Sequence, residues 1–213
     1  MNNKKEKKGT LIKDAMALFT VTLVAALALT FVYEMTKAPI AEQQELKKES
    51  AYQAVYADTV AEIDEELTAS AKETDLGGLN SVYKNVTIDE ISKVFDSKEN
   101  HIGYIVQVGS KGYKDTISLM FGYSLEGEIQ SLEFLSLNET AGLGMNASEP
   151  EFLNQFNGKS VNPLLVTKTG ATEDNQIDAL SSATITTNAI VNAVNAGIDF
   201  LQQNTDIGGG ANE

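Results

Sequence analysis

A long uncharged stretch near the amino terminus is the first pattern along the chain. Residues 15–33, AMALFTVTLVAALALTFVY, include no charged side chain. At about 1.5 Å per residue a helix of this length extends roughly 28 Å, close to the thickness of the hydrocarbon core of a bilayer. A helix buried in a protein core would usually show a polar stripe, which this one lacks. We therefore predict one transmembrane helix over residues 15–33.

The residues on either side of this helix predict its orientation. Residues 1–14 contain five lysines but only Glu6 and Asp14 as acids, so the positive-inside bias places this end in the cytoplasm and the rest of the chain outside. A cleaved signal peptide is the alternative, because residues 26–28 have the small-x-small form of a cleavage site. The apolar run continues beyond them to Tyr33, which favours an uncleaved, single-pass anchor in the plasma membrane.

A helical period follows the anchor. Between residues 41 and 71 the sequence is rich in charge, with apolar residues three and four positions apart, which predicts a helix lying against the folded domain. The stretch DLGGLN, residues 75–80, predicts a turn. We interpret residues 34–80 as a helical stalk and connection.

The period then changes to that of a sheet. Residues 103–137 contain short runs of Val, Ile, Tyr and Phe separated by glycine-containing turns at 110–112 and 125–127, which predicts consecutive antiparallel strands. A short helix is predicted over 149–156 and a final helix from about 186 to 203. The fold class is therefore α+β, with an extracytoplasmic domain of sheet and helices over 81–204 and a tail, 205–213, that is disordered by composition.

The amino-acid composition excludes several classes of catalytic and metal site. The chain has no cysteine, no arginine, one histidine (His101) and a formal net charge of −14. Disulfides, thiolate nucleophiles, iron–sulfur clusters and three-histidine metal sites are thereby excluded, and a nucleic-acid partner is disfavoured because phosphate backbones attract clustered Lys and Arg. We therefore predict that this protein has no catalytic side chain and no metal site, and that its chemical reactivity comes from a bound cofactor.

Five hydroxyl side chains crowd the predicted start of the last helix, in residues 181–187, SSATITT. They fit an over-supplied helix cap, because Ser and Thr oxygens accept from the free N–H groups of a first turn. They also fit an anion site, since those N–H groups and the helix dipole favour a phosphate. Spacing alone leaves both interpretations open.

Residues 178–184, DALSSAT, resemble the flavinylation motif of the FMN-binding domain family, Asp-x-x-Ser/Thr-Gly-Ala-Thr. In that family a dedicated flavin transferase esterifies the final threonine to the phosphate of FMN. The resemblance implies covalent FMN on Thr184 and a role for Asp178 in recognition by the transferase. It also implies that the neighbouring motif residues lie near the phosphate: Ser181, Ser182, Ala183 and Thr187. Ser182 stands where the family usually has glycine.

Residues 139–144, ETAGLG, resemble a second family motif, the Glu-Thr-x-Gly-Leu-Gly loop that approaches the flavin ring. The resemblance implies a ring-lining role for Glu139, Thr140, Gly142, Leu143 and Gly144. Lys168 is a further candidate partner for the phosphate or the ring, with a solvated lysine as the alternative.

The order of anchor, stalk, strands and both motifs resembles the G subunits of Rnf complexes, the ion-translocating ferredoxin:NAD⁺ oxidoreductases, and the related C subunits of sodium-pumping NADH:quinone reductases. This implies an electron-relay subunit without catalysis of its own. The implied partners are the flavin transferase, membrane lipid and other membrane subunits, namely a second flavin-carrying subunit and a pair that carries iron–sulfur centres. A stand-alone extracellular flavoprotein and a cofactor-free adaptor domain are the alternatives.

Overall fold

The computed structural model describes residues 3–160 and 163–207, with side chains described from Ile12 onward in the first helix. The chain divides into two compact units, residues 1–46 and 47–213. Helix α1 (Asn3–Val55) supplies all described residues of the first unit. The side chains of Lys4, Lys5, Lys7 and Lys8, on which the predicted orientation partly rests, lie outside the described residues.

The first unit has the properties predicted for a membrane helix. From Ile12 onward α1 is long and apolar enough to cross a bilayer, and none of its most apolar stretch is buried. Its hydroxyls are satisfied within the helix: Thr20 Oγ1 donates to Met16 O at 2.8 Å and Thr30 Oγ1 donates to Ala26 O at 2.9 Å. Internal pairing of this kind suits a medium without water.

The second unit is built on one antiparallel sheet whose five strands are neighbours in chain order. This confirms the predicted consecutive antiparallel strands, because tight turns connect the last three. The first two strands were not predicted. The strands are β1 (Val60–Ile63), β2 (Val86–Phe95), β3 (His101–Lys111), β4 (Thr116–Ser124) and β5 (Ile129–Ser136).

Helices and a small parallel pair complete the unit. The last helix begins two residues earlier than predicted, and the predicted helix over 149–156 is shorter, with a turn in place of its second half. The helices are α2 (Glu65–Glu73), α3 (Leu76–Leu79), α4 (Pro150–Leu153) and α5 (Thr184–Asn204), and the parallel pair is β6 (Leu165–Thr167) with β7 (Gln176–Asp178).

The predicted stalk differs from the structure. Instead of one helix over 41–71, α1 ends at Val55, β1 pairs with β2, and α2 begins at Glu65. Asp64 starts α2 by accepting a hydrogen bond from Leu67 N at 2.9 Å, as an N-cap carboxylate does. Sheet pairing thus overrides the helical spacing of the intervening residues. The turn predicted at 75–80 contains the single helical turn α3.

The sheet buries both faces. On one face α5 packs so closely that a Cβ on Gly197 would lie 2.8 Å from Phe121 Cζ. On the other face Ala51 and Val55, at the end of α1, pack with Ile105 and Met120. Alternate residues of β3 and β4 therefore serve opposite faces, as the pleat requires.

The predicted disordered tail is wrong at its start. Ile207 is buried and belongs to the main hydrophobic core. It follows the end of α5, where Thr205 Oγ1 donates to Leu201 O at 2.6 Å. The remainder of the predicted tail, 208–213, lies outside the described residues.

Candidate functional site

A cleft of about 490 Å³ opens at the start of α5. Its volume lies in the range of small-molecule sites, roughly 300 to 1,000 Å³. Three chain segments meet there: the β3–β4 turn, the loop after β5 and the first turn of α5. The lining residues are Tyr113, Glu139, Thr140, Leu143, Gly144, Ser182, Ala183, Thr184, Ile185 and Thr186.

The carboxylate of Glu139 joins these three segments. It is 3% exposed, and its Oε1 accepts from Lys114 N in the β3–β4 turn at 3.0 Å. Its Oε2 accepts from Thr186 Oγ1 in α5 at 3.0 Å. Charge-assisted hydrogen bonds of this kind are among the stronger ones. Glu139 therefore connects the segments that form the walls of the cleft.

Two glycines make room for this carboxylate. A Cβ on Gly112 would collide with Glu139 Oε1, and one on Gly144 would lie 2.7 Å from Glu139 Cβ and 2.8 Å from Thr186 Oγ1. The backbone at Gly144 thus lies close to Glu139 and Thr186. Gly142, with φ of +72°, turns the same loop but does not line the cleft.

The hydroxyls of residues 181–187 divide into separate groups. Thr186 and Thr187 are buried and hydrogen-bonded: Thr187 Oγ1 donates to Ala183 O at 3.1 Å and accepts from Leu180 N at 3.1 Å. Ser182 and Thr184 line the cleft, and neither forms a hydrogen bond through its side chain within the described part of the chain. Thr184 is the more sheltered of the two, half-buried where Ser182 is exposed.

The helix-cap interpretation does not describe this end of α5. The N-cap position is Ala183, and no side chain caps the helix. The first-turn N–H groups of α5 therefore have no capping side chain among the described residues, and the residues that carry them line the cleft. This is the environment that favours an anion.

Ser182 adopts the left-handed conformation, with φ of +60°. Glycine reaches this region without strain, whereas other residues rarely adopt it. The glycine that the family motif usually has at this position therefore fits the backbone found here. Ser182 keeps the same turn at an energetic cost.

Some predicted residues lie elsewhere. Asp178 and Ser181 line a neighbouring cleft of about 480 Å³. There the backbone N–H of Asp178 donates to Gln155 Oε1 at 2.6 Å. Thr187 is fully buried beneath the turn. Lys168 is exposed in the loop after β6 and does not line the cleft.

Two lining residues were not singled out from the sequence, Tyr113 and Ile185, and Thr186 was counted only as one of the five hydroxyls. Tyr113 comes from the β3–β4 turn, which is ordered by its own hydrogen bonds. Asp115 Oδ1 accepts from Thr116 N at 2.8 Å and Oδ2 accepts from Asn138 Nδ2 at 3.1 Å. These bonds hold the pKa of the Asp115 carboxyl below its usual value.

The chain has relatives that align along most of its length. It is 31% identical over 205 residues to the G subunit of the Na⁺-translocating ferredoxin:NAD⁺ oxidoreductase complex of Acetobacterium woodii, covering 89% of this chain and 91% of that protein. It is 32% identical over 195 residues to the G subunit of the ion-translocating oxidoreductase complex of Methanosarcina acetivorans, covering 89% and 93%. The chain belongs to the G-subunit family of ion-translocating oxidoreductase complexes.

Two family models match different parts of this protein. The FMN-binding domain matches residues 112–199, which include every residue lining the cleft, and the RnfG N-terminal region matches residues 1–55. The family resemblance predicted from the sequence is confirmed. With its long apolar helix, this component of an oxidoreductase complex is membrane-associated.

Two solved structures show a partial likeness to this chain. The C subunit of the Na⁺-translocating NADH-quinone reductase of Parabacteroides distasonis has 20% identity and a TM-score of 0.46, over 67% of this chain and 77% of that chain. NqrC of Shewanella oneidensis has 22% identity and a TM-score of 0.45, over 53% and 57%.

Proposed function

We propose that this protein relays electrons in a membrane ferredoxin:NAD⁺ oxidoreductase complex through FMN bound covalently to Thr184. The observation that carries the proposal is the position of Thr184. Its hydroxyl belongs to a residue that lines the cleft, at the uncapped start of α5, in the final position of the motif. Ser182, the other hydroxyl residue of the motif that lines the cleft, occupies the position of the family glycine.

The cleft fits a flat, largely apolar ring with a phosphate at one end. Leu143 and Ile185 offer apolar surface, while the first-turn N–H groups of α5 lie beside Thr184. Thr184 would hold the phosphate through an ester, and the loop 139–144 would flank the ring. Bound there, FMN supplies one- and two-electron transfer, which the side chains of this protein do not offer.

The anchor supports a relay at a membrane surface. We propose that residues 15–33 span the plasma membrane with the amino terminus in the cytoplasm and the second unit outside. The partners would be a flavin transferase during maturation and, afterwards, redox-active membrane subunits that donate electrons to the flavin and accept electrons from it.

Intact mass of the full chain co-expressed with a flavin transferase tests the proposal. The expected gain is the mass of FMN minus water, mapped to the peptide containing Thr184. Thr184→Ala should lose this gain and Thr184→Ser should retain it, since the hydroxyl remains. Ser182→Gly is the matched control: it removes the other motif hydroxyl on the cleft and should leave the modification in place.

The alternatives give different results. A colourless, unmodified wild-type chain would make the second unit a binding or adaptor domain. Modification of Ser182 in place of Thr184 would move the attachment point. Free FMN added to the Thr184→Ala chain is expected to separate from it on gel filtration; tight retention would show that the cleft holds the cofactor without an ester. Purification of the modified chain without other membrane subunits would favour a stand-alone electron carrier.

A further inference from the structure

Three large apolar side chains are exposed around the cleft. Tyr113 is 69% exposed, Ile185 56% and Leu143 37%, and all three line the cleft. Single exposed apolar residues are common, but several converging on one concave surface are typical of a ligand or partner site. Tyr113 is the one aromatic side chain on the described walls of the cleft.

The turn that carries Tyr113 is anchored on both sides of it. Gly112 N donates to Asp115 O at 2.9 Å, and Lys114 N donates to Glu139 Oε1 at 3.0 Å. Glu139 in turn accepts from Thr186 on α5, two residues beyond Thr184. The backbone of Tyr113 is thus tied, through a single buried carboxylate, to the helix turn that carries the proposed attachment point. Such preorganisation reduces the ordering cost of binding.

We infer that Tyr113 covers the ring of a flavin attached at Thr184, acting as a positioning residue that shields the ring from water. This inference rests on the proposed function. A tyrosine ring provides a large, flat contact surface with few rotatable bonds, and its polar hydroxyl can stay in water at the mouth of the cleft. Leu143 and Ile185 complete the apolar surface around the ring. Glu139 holds the backbone of the turn by accepting from Lys114 N.

Nitration of the wild-type chain tests the inference without a substitution. Tetranitromethane modifies accessible tyrosine rings, so the full chain made without the transferase should be nitrated readily at Tyr113. The flavin-loaded chain should show a several-fold lower yield at Tyr113, with Tyr33 on α1 as the internal reference in both samples. Equal nitration of Tyr113 in the two samples would overturn the inference.

Flavin emission provides a second readout, because a phenol in contact with a flavin quenches its fluorescence. Tyr113→Phe and Tyr113→Leu should both raise the emission per bound flavin several-fold. Only Tyr113→Leu should also increase quenching by iodide, since a phenyl ring still covers the flavin in the other variant. Tyr104→Phe, which removes a phenol from a separate cleft beside Asp64 and Lys93, is the matched control and should change neither.

Each outcome is decisive. Unchanged emission in both loaded Tyr113 variants would overturn the inference while the mass of FMN on Thr184 still supported the proposed function. If a Tyr113 variant is not loaded, the nitration experiment decides, since it needs only wild-type protein. Absence of covalent flavin from the wild-type chain would overturn the proposed function and this inference together.

Discussion

Replacing Ser182 by glycine should stabilise this protein although it removes a side chain. Ser182 has φ of +60° and is exposed, and its hydroxyl has no hydrogen-bond partner among the described residues. Left-handed backbone costs a residue with a Cβ roughly 1–2 kcal/mol. Glycine avoids that cost but loses about 0.5–1 kcal/mol through the greater freedom of the unfolded chain. The expected net gain is about 0.5–1 kcal/mol.

Thermal unfolding of the full chain in detergent, followed by circular dichroism, measures this gain. For a unit of this size about 1 kcal/mol corresponds to a shift in Tm of roughly 2–4 °C, so Ser182→Gly should raise Tm by a few degrees at most. Ser181→Gly is the matched control. Ser181 is also exposed but is not among the residues with positive φ, so its replacement should lower Tm.

An equal or lower Tm for Ser182→Gly would refute the reasoning. It would mean that the hydroxyl of Ser182 contributes stabilisation that outweighs the backbone strain. A rise in both variants would also count against it, because the gain would then be independent of φ.

Other substitutions test the contact between α5 and the sheet, the hydrogen bonds of Glu139, and the ion pair between Asp64 and Lys93. Gly197→Ala should lower the free energy of unfolding in urea by about 1–3 kcal/mol, because its Cβ would press on Phe121. Glu139→Ala should lower it by roughly 1–3 kcal/mol by leaving buried donors unpaired, and Glu139→Gln by less. Burial opposes ionisation of Asp64, but hydrogen bonds from its helix and the ion pair with Lys93 at 2.7 Å outweigh it and lower its pKa. This stabilisation is present above the unfolded pKa and disappears as pH falls through the folded one, so Asp64→Asn should flatten the acid limb of a plot of stability against pH.

Part of the fold could be predicted because its signals are local. Strands β3 to β5 follow one another through tight turns, so alternation and glycine positions were sufficient. Strand β2 carries Asp89, Glu90 and Lys93, and its register shifts between Ile88 and Glu90, which together obscure the period of two. Strand β1 is short and mostly exposed. Its pairing with β2 is a long-range event that no local pattern reports.

The site shows the same division between local and distant signals. The motif residues from Ser182 to Thr184 could be predicted because they are contiguous. The hydrogen bond between Glu139 and Thr186 joins positions 47 residues apart, so no local pattern reports it. From the sequence, the hydroxyl of Thr186 near a helix start is indistinguishable from a helix cap, and only the fold shows that it points inward. Tyr113 had one signal, an aromatic residue in a turn where polar residues prevail. That signal acquires meaning only when the hairpin places it opposite α5.

The charges of the cleft bear on the proposed ester between Thr184 and FMN. The phosphate of a nucleotide carries about −1.5 to −2 charges at neutral pH, yet Glu139 is the one charged residue among the described residues that line the cleft. The dipole of α5 contributes only about 0.3–1 kcal/mol toward an anion, whereas nanomolar affinity corresponds to about 12 kcal/mol. The chain has no arginine, and Lys168 does not line the cleft. Because the walls supply so little charge attraction for phosphate, the proposed ester would provide retention that these charges do not. The hydroxyl of Thr184, which has no hydrogen-bond partner among the described residues, would provide the oxygen atom for that ester.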